Sequence, residues 1–195
     1  LARAGADPSR PIVMLNPGAS FGTSKLWPAE RFAALADRLA ERQGAQIVVN
    51  AAPSERKIAS AVIAAMKSRP LLHFADGDNT LGLLKGLLAR VGLLVTNDTG
   101  ARHVGVAMGA DVVTVFGSTD PRWTRIDYPR ERTVRASVPC TPCPHPDVGG
   151  PTPRRVPPDP TQLSQEGIII RPTQLFREGE MDETLVIPHS AAVES

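Results

Sequence analysis

The residues able to do chemistry in this chain gather in a few short stretches: NPGASFGTSK (16–25), NAAPSE (50–55), NDTGARH (97–103) and FGSTDP (116–121). In the first, glycines 18 and 22 let backbone N–H groups close on an anion, Ser20, Thr23 and Ser24 bring hydroxyls, and Lys25 brings a point charge. The spacing fits neither the Gly-x-x-x-x-Gly-Lys-Ser/Thr phosphate loop nor the Gly-x-Gly-x-x-Gly fingerprint, which disfavours a nicotinamide enzyme. The other reading is a flexible loop with a solvated lysine. Glu55, next to Ser54, is either a favourable charge at a helix start or an acceptor for ribose hydroxyls.

Asp98 and Thr99 suit a helix cap, and Gly100 exposes bare backbone. His103 lies in the first turn, where the helix dipole disfavours its charged form unless an anion is bound there. One helix end contributes only about 0.3–1 kcal/mol toward an exposed anion, so a diphosphate also needs Lys25 or a comparable donor. The loops carrying these residues must therefore converge. Thr119 and Asp120 are candidate contacts or a plain Asp-Pro turn, and the arginines at 122, 125, 130, 132 and 135 read as a solvated face.

The elements between these stretches supply the convergence. PIVMLN is followed by a helix over 28–43 with Phe32, Leu35, Ala36 and Leu39 on one face, started by Pro28 and stopped by Gly44. QIVVN predicts a second strand, then a helix capped by Ser54 with Ile58, Ala61, Val62 and Ala65 inward. LLHFA is a third strand; Thr80 caps a leucine-rich helix to Val91; LLVTN is a fourth strand, with a helix to about Gly109; DVVTVFG is a fifth. Strands alternating with helices predict an α/β fold, a Rossmann-like parallel sheet with helices on both faces. In such a sheet ligands sit beyond the carboxyl ends of the strands, where all four stretches fall. Eleven of the 19 prolines lie between Pro139 and Pro188, which predicts an irregular tail with at most a short strand at GIIIRP and a short helix at PTQLFREGE. The expected domains are a linker over 1–10, a Rossmann-like ligand-binding domain over 11–138 and a proline-rich tail over 139–195.

A chain of 195 residues, 42% apolar, has enough material for a core, and its net charge of +2 comes without a basic stripe, which argues against a nucleic-acid partner. The apolar runs are too short to span a membrane and the first residues lack a signal-peptide core, so a cytoplasmic address is the default. The first residue is not Met, which fits a part of a longer polypeptide. Cys140 and Cys143 with His145 fall short of a four-ligand zinc site, and no metal or cofactor is expected.

Taken together, NPGASFGTSKLWP, NDTGARHVGVAMG and VVTVFGSTDP, in this order and spacing, resemble the carboxyl-terminal half of glycosyltransferase family 9, the ADP-heptose:lipopolysaccharide heptosyltransferases, over about residues 11–145. The resemblance implies a GT-B architecture of two Rossmann-like domains, of which this chain is the donor-binding one. It implies inverting transfer of heptose or a related sugar from a nucleotide sugar to a lipopolysaccharide core acceptor, by a peripheral enzyme at the inner face of the inner membrane. Lys25 corresponds to the lysine on the donor phosphates and Ser20 to the hydroxyl loop before it. Glu55 corresponds to the acid on the adenosine ribose, and Asp98, Thr99, Gly100 and His103 to the segment beside diphosphate and sugar. Lys25 and His103 would stabilise the leaving group, and Thr119 joins the donor contacts. By position alone, the loop 75–80 falls at the adenine pocket. The catalytic base is expected in the absent amino-terminal domain. Ala101-Arg102 replaces the family's more usual Pro-Met, which predicts an extra cation near the phosphates.

A reading from another class is a non-catalytic nucleotide- or phosphate-binding α/β module with a regulatory or interaction role, docking through its proline-rich tail. A receiver-like domain is disfavoured, because strand one ends in Asn-Pro and no lysine follows strand five.

Overall fold

In the computed structural model of the chain, the described residues are 1–19, 25–77, 79–135, 168–170 and 185–187. Six strands form one parallel sheet: β1 (Ile12–Asn16), β2 (Gln46–Val49), β3 (Leu72–His73), β4 (Leu93–Asn97), β5 (Asp111–Phe116) and β6 (Glu131–Arg135). Their order across the sheet is β3-β2-β1-β4-β5-β6. The central strands are apolar on both faces because both faces are covered, and Met14, Leu15, Val48, Leu94 and Val95 are fully buried. The covering helices are α1 (Ala29–Gln43), α2 (Arg56–Ala65), α3 (Leu81–Leu88) and α4 (Gly100–Ala107). The α/β fold with a Rossmann-like parallel sheet is therefore as the strand and helix periods predict.

Helix α1 buries Phe32, Ala33, Leu35, Ala36 and Leu39, and ends at Gly44 in the left-handed region, φ 62°. Pro28 sits just before its first turn, as the cap residue. Thr80 caps α3, its hydroxyl accepting from the Leu83 N–H at 3.1 Å. Helix α4 packs tightly on the sheet through Gly105, where a Cβ would stand 2.6 Å from Leu94 Cδ2.

Some expectations are corrected. Ser54 caps no helix: it lies inside a 3-10 turn, Pro53–Glu55, and α2 starts at Arg56. Val62 is buried as expected, but its buried partner is Ala59, and Ala61 and Ala65 are exposed. Helix α3 stops at Leu88, three residues before Val91. A sixth strand, β6, not expected from the sequence, pairs with β5 in parallel from Val112↔Glu131 to Phe116↔Arg135, and its Arg132 and Arg135 are exposed, as expected. Residues 1–10, expected as a linker, lie against the domain. Gln46 at the head of β2 accepts from the Asp7 N–H at 2.8 Å and donates to the carbonyls of Asp7 and Arg10 at 2.8 and 3.3 Å. In the tail, β7 (Ile168–Ile170) and β8 (Leu185–Ile187) pair antiparallel, the first of them within the GIIIRP stretch. The expected helix at 172–180 lies outside the described residues.

Candidate functional site

The strand order reverses direction between β1 and β4, and a cleft of about 260 Å3 opens there at the carboxyl ends. Asn16 ends β1, Asn50 follows β2, Glu55 stands in the 3-10 turn, and Thr99 and Gly100 begin α4; all line the cleft. The first residues of α3 and Leu84 form its apolar wall. The N–H groups opening α4 have no helical partners and carry the positive end of the dipole, so this floor suits an anion. The Thr99 hydroxyl makes no cap bond to its own helix and accepts from Asn16 Nδ2 at 3.2 Å.

A chain of side-chain amides runs under the cleft. Asn79 Nδ2 donates to Asn50 Oδ1, Asn50 Nδ2 donates to Asn16 Oδ1 at 2.6 Å, and Asn16 Nδ2 also donates to Thr96 Oγ1 at 3.1 Å. Asn97 continues the pattern on β4, donating to the carbonyls of Pro17 and Gly18 and accepting from the Trp27 N–H at 3.2 Å. Buried amides need such partners, and here they tie the β1 loop to β2 and β4. The Oδ1 of Asn79, a lining residue, is buried without a partner. None of these asparagines was singled out from the sequence. The signal was present, since Asn16, Asn50 and Asn97 each end an apolar run.

Glu55 reaches the cleft as expected. Its Oε2 accepts from the Ala52 N–H at 3.1 Å, and its carboxylate lies directly over Gly18, where a Cβ would meet Glu55 Cδ at 2.1 Å. Gly18 is thus required for close approach rather than for an unusual φ.

Lys25 and Asp98, separated by 73 residues, do converge: Lys25 Nζ is 3.5 Å from Asp98 Oδ2. Asp98 is only 7% exposed, and Thr119 and Thr124 donate to it at 3.3 and 3.2 Å. It therefore braces Lys25 instead of lining the cleft, and Thr119 braces Asp98. Arg102 corrects the expectation of an extra cation near the phosphates. It is 1% exposed, points toward β6 and is bound by Glu131 and Asp98, so it cannot reach the cleft. His103 is exposed one turn above Thr99, outside the lining residues. Arg122 donates to Asp120 from its guanidinium and its N–H, which holds the Asp120 carboxyl below the usual range. Ser20, Cys140, Cys143 and His145 lie outside the described residues, as does Asp78 of the 75–80 loop. Among the described residues no group of three His, Cys, Asp or Glu is placed to hold a metal, and no helix is long and apolar enough to cross a membrane.

The model for glycosyltransferase family 9 (heptosyltransferase) matches residues 2–148. A second model, Hydantoinase B/oxoprolinase, matches residues 138–191, nearly all outside the described residues. Among curated proteins, the lipopolysaccharide heptosyltransferase 2 of Salmonella typhimurium is 30% identical over 128 residues, 65% of this chain and 36% of that protein. Among solved structures, the Escherichia coli ADP-heptose lps heptosyltransferase II is 26% identical with a TM-score of 0.62, over 68% of this chain and 40% of that one. The Escherichia coli heptosyltransferase WaaC with ADP-2-deoxy-2-fluoro heptose is 26% identical with a TM-score of 0.52, over 65% of this chain and 37% of that one. The chain thus spans little more than a third of the Salmonella relative's length.

Proposed function

The chain belongs to glycosyltransferase family 9, and from that premise we propose that its cleft is the donor half of an inverting glycosyl transfer from ADP-heptose, or a related nucleotide sugar, to a lipopolysaccharide core acceptor. The observation that carries the reading is that the Glu55 carboxylate and the start of α4 line one cleft at the sheet switch point, while Lys25, outside the lining residues, is held beside that helix start by Asp98. A carboxylate suits ribose hydroxyls, and a helix start beside an ammonium suits a diphosphate. The relatives named for ADP-heptose and the complex with its fluorinated analogue support the same donor.

In this reading residues 11–138 form the nucleotide-sugar-binding domain. An acceptor oxygen bonds to the anomeric carbon from the side opposite the leaving group, the bond from that carbon to the diphosphate breaks, and ADP departs. A base in a second, amino-terminal Rossmann-like domain takes the acceptor proton; no residue of this chain is assigned that role. The charge that builds on the diphosphate is met by the N–H groups at Thr99 and Gly100, fixed in place beforehand, and by Lys25 from its place beside Asp98. His103, on the same face as Thr99 one turn on, meets the ligand from the solvent rim.

The test is calorimetric titration with ADP, using GDP and UDP as controls. ADP binds selectively, and Lys25→Ala weakens it roughly tenfold to a hundredfold, the worth of a hydrogen bond to a charged group. A Lys25→Ala protein with unchanged ADP affinity contradicts the assignment. Tight ADP binding with no transfer after a second Rossmann-like half is supplied points to a regulatory binding module instead.

A further inference from the structure

Arg102 is the largest fully buried side chain among the described residues, and a buried cation must be compensated. Glu131 on β6 holds it by two contacts, Nε to Oε1 at 2.5 Å and Nη2 to Oε2 at 3.0 Å. Arg102 Nη1 donates to Asp98 Oδ1 at 3.2 Å and to the carbonyl and hydroxyl of Thr124, each at 2.9 Å. The Phe116 ring covers the guanidinium at 5.1 Å, and Thr114 donates to Glu131 Oε1 at 2.7 Å.

Asp98 divides its oxygens between two cations. Oδ1 faces Arg102 and Thr124, while Oδ2 faces Lys25, the more exposed cation, and Thr119. From β6 to the cleft the charges therefore alternate, Glu131, Arg102, Asp98, Lys25, and cancel. Lys25 is the most exposed member, its side chain 16% accessible against 5% or less for the other three. An anion at the start of α4 competes with Asp98 for that ammonium. Were Lys25 the sole counter-charge of Asp98, giving it up would strand a buried carboxylate.

We infer that the Glu131–Arg102 pair is a positioning device for anion binding: it gives Asp98 a permanent inner counter-charge, so that Lys25 can turn from Asp98 to a nucleoside diphosphate. This rests on the proposed donor site, and it names residues that act through Lys25 without touching the ligand.

Two variants separate the device from plain structural support. Arg102→Met with Glu131→Gln removes both inner charges together and strands neither; Asp98 then holds Lys25 alone. Glu131→Gln alone leaves Arg102 wholly to Asp98. The Lys25 ammonium, 3.5 Å from the Asp98 carboxylate, is followed by 13C NMR of labelled lysine without ligand, and ADP affinity is measured by calorimetry. The double variant raises the Lys25 pKa and weakens ADP about tenfold; Glu131→Gln lowers the pKa and leaves ADP binding equal or tighter. Structural damage alone weakens binding in both. Identical Lys25 titrations in all three proteins overturn the inference. If the unaltered protein takes no ADP, the donor-site proposal fails, and the Lys25 titrations alone decide this one.

Discussion

Gly18 and Glu55 show how little tolerance the cleft has at single residues. The Glu55 carboxylate occupies the space a side chain at position 18 would need, with Oε1 and Oε2 2.2 Å from where a Cβ would be. Glu55 is the far end of a partly exposed side chain, so Gly18→Ala displaces it at small cost to the fold. The expected result is a loss of ADP affinity of about tenfold, as for Glu55→Ala, with an unchanged melting temperature. Calorimetry on both variants checks this; full affinity in Gly18→Ala would mean that Glu55 works from a different position. Glu55, Thr99 and Gly100 were legible in the sequence because a residue type at a strand end has few roles. Asp98 was harder. Arg102, four residues on, is in i,i+4 reach, but Lys25 and Thr119 are brought to Asp98 by two distant loops, and spacing along the chain carries no record of that.

Between elements, side-chain bonds fasten helices to the segments that follow them. Asp37 on α1 accepts from the N–H groups of Lys67 and Ser68 and from the Ser68 hydroxyl at 2.6 Å, locking α1 to the chain leaving α2. Burial alone pushes Asp37 up, but the Ser68 hydroxyl and the two amides outweigh it and hold its carboxyl below the usual value. A carboxyl depressed on folding adds stability above its unfolded pKa, near 4, and that stability is lost as pH falls through the lower folded value. Asp37→Asn should therefore cost about 1–2 kcal/mol at pH 7, allowing for its partial exposure, and nearly nothing near pH 2, as read by urea unfolding at the two pH values. Thr80→Ala, which removes the α3 cap, should cost about 1 kcal/mol at both. Helix α1 was legible because its apolar period is unbroken. Strand β6 was not: in ERTVR only Glu131 is buried, so an edge strand presents no apolar alternation, and Thr114 and Arg102, the side chains that seat Glu131, stand far from it in sequence. The register of α2 was misread because Pro53 starts a 3-10 turn that delays the helix to Arg56.

At the scale of the whole molecule, 22 basic and 20 acidic residues nearly cancel, so the overall field does little to gather an anion. Selection must then be local to the cleft. Its walls come from β1, β2, α3 and α4, all within one sheet and its covering helices, so nucleotide binding should stabilise this chain whether or not transfer is detected. A ligand at a hundred times its Kd adds about 2.7 kcal/mol, which in a domain of this size raises the melting temperature by roughly 5–15 °C. ADP should produce that shift. Lys25→Ala should remove most of it, whereas Arg125→Ala should leave it intact, because Arg125 is an exposed cation engaged with an exposed Asp127. Thermal unfolding of the three proteins with and without saturating ADP is the measurement. Equal loss in both variants would mean that general charge, and not the geometry around Lys25, draws the diphosphate. Loss in Lys25→Ala alone would tie recognition to the point where the β1 loop and the start of α4 meet.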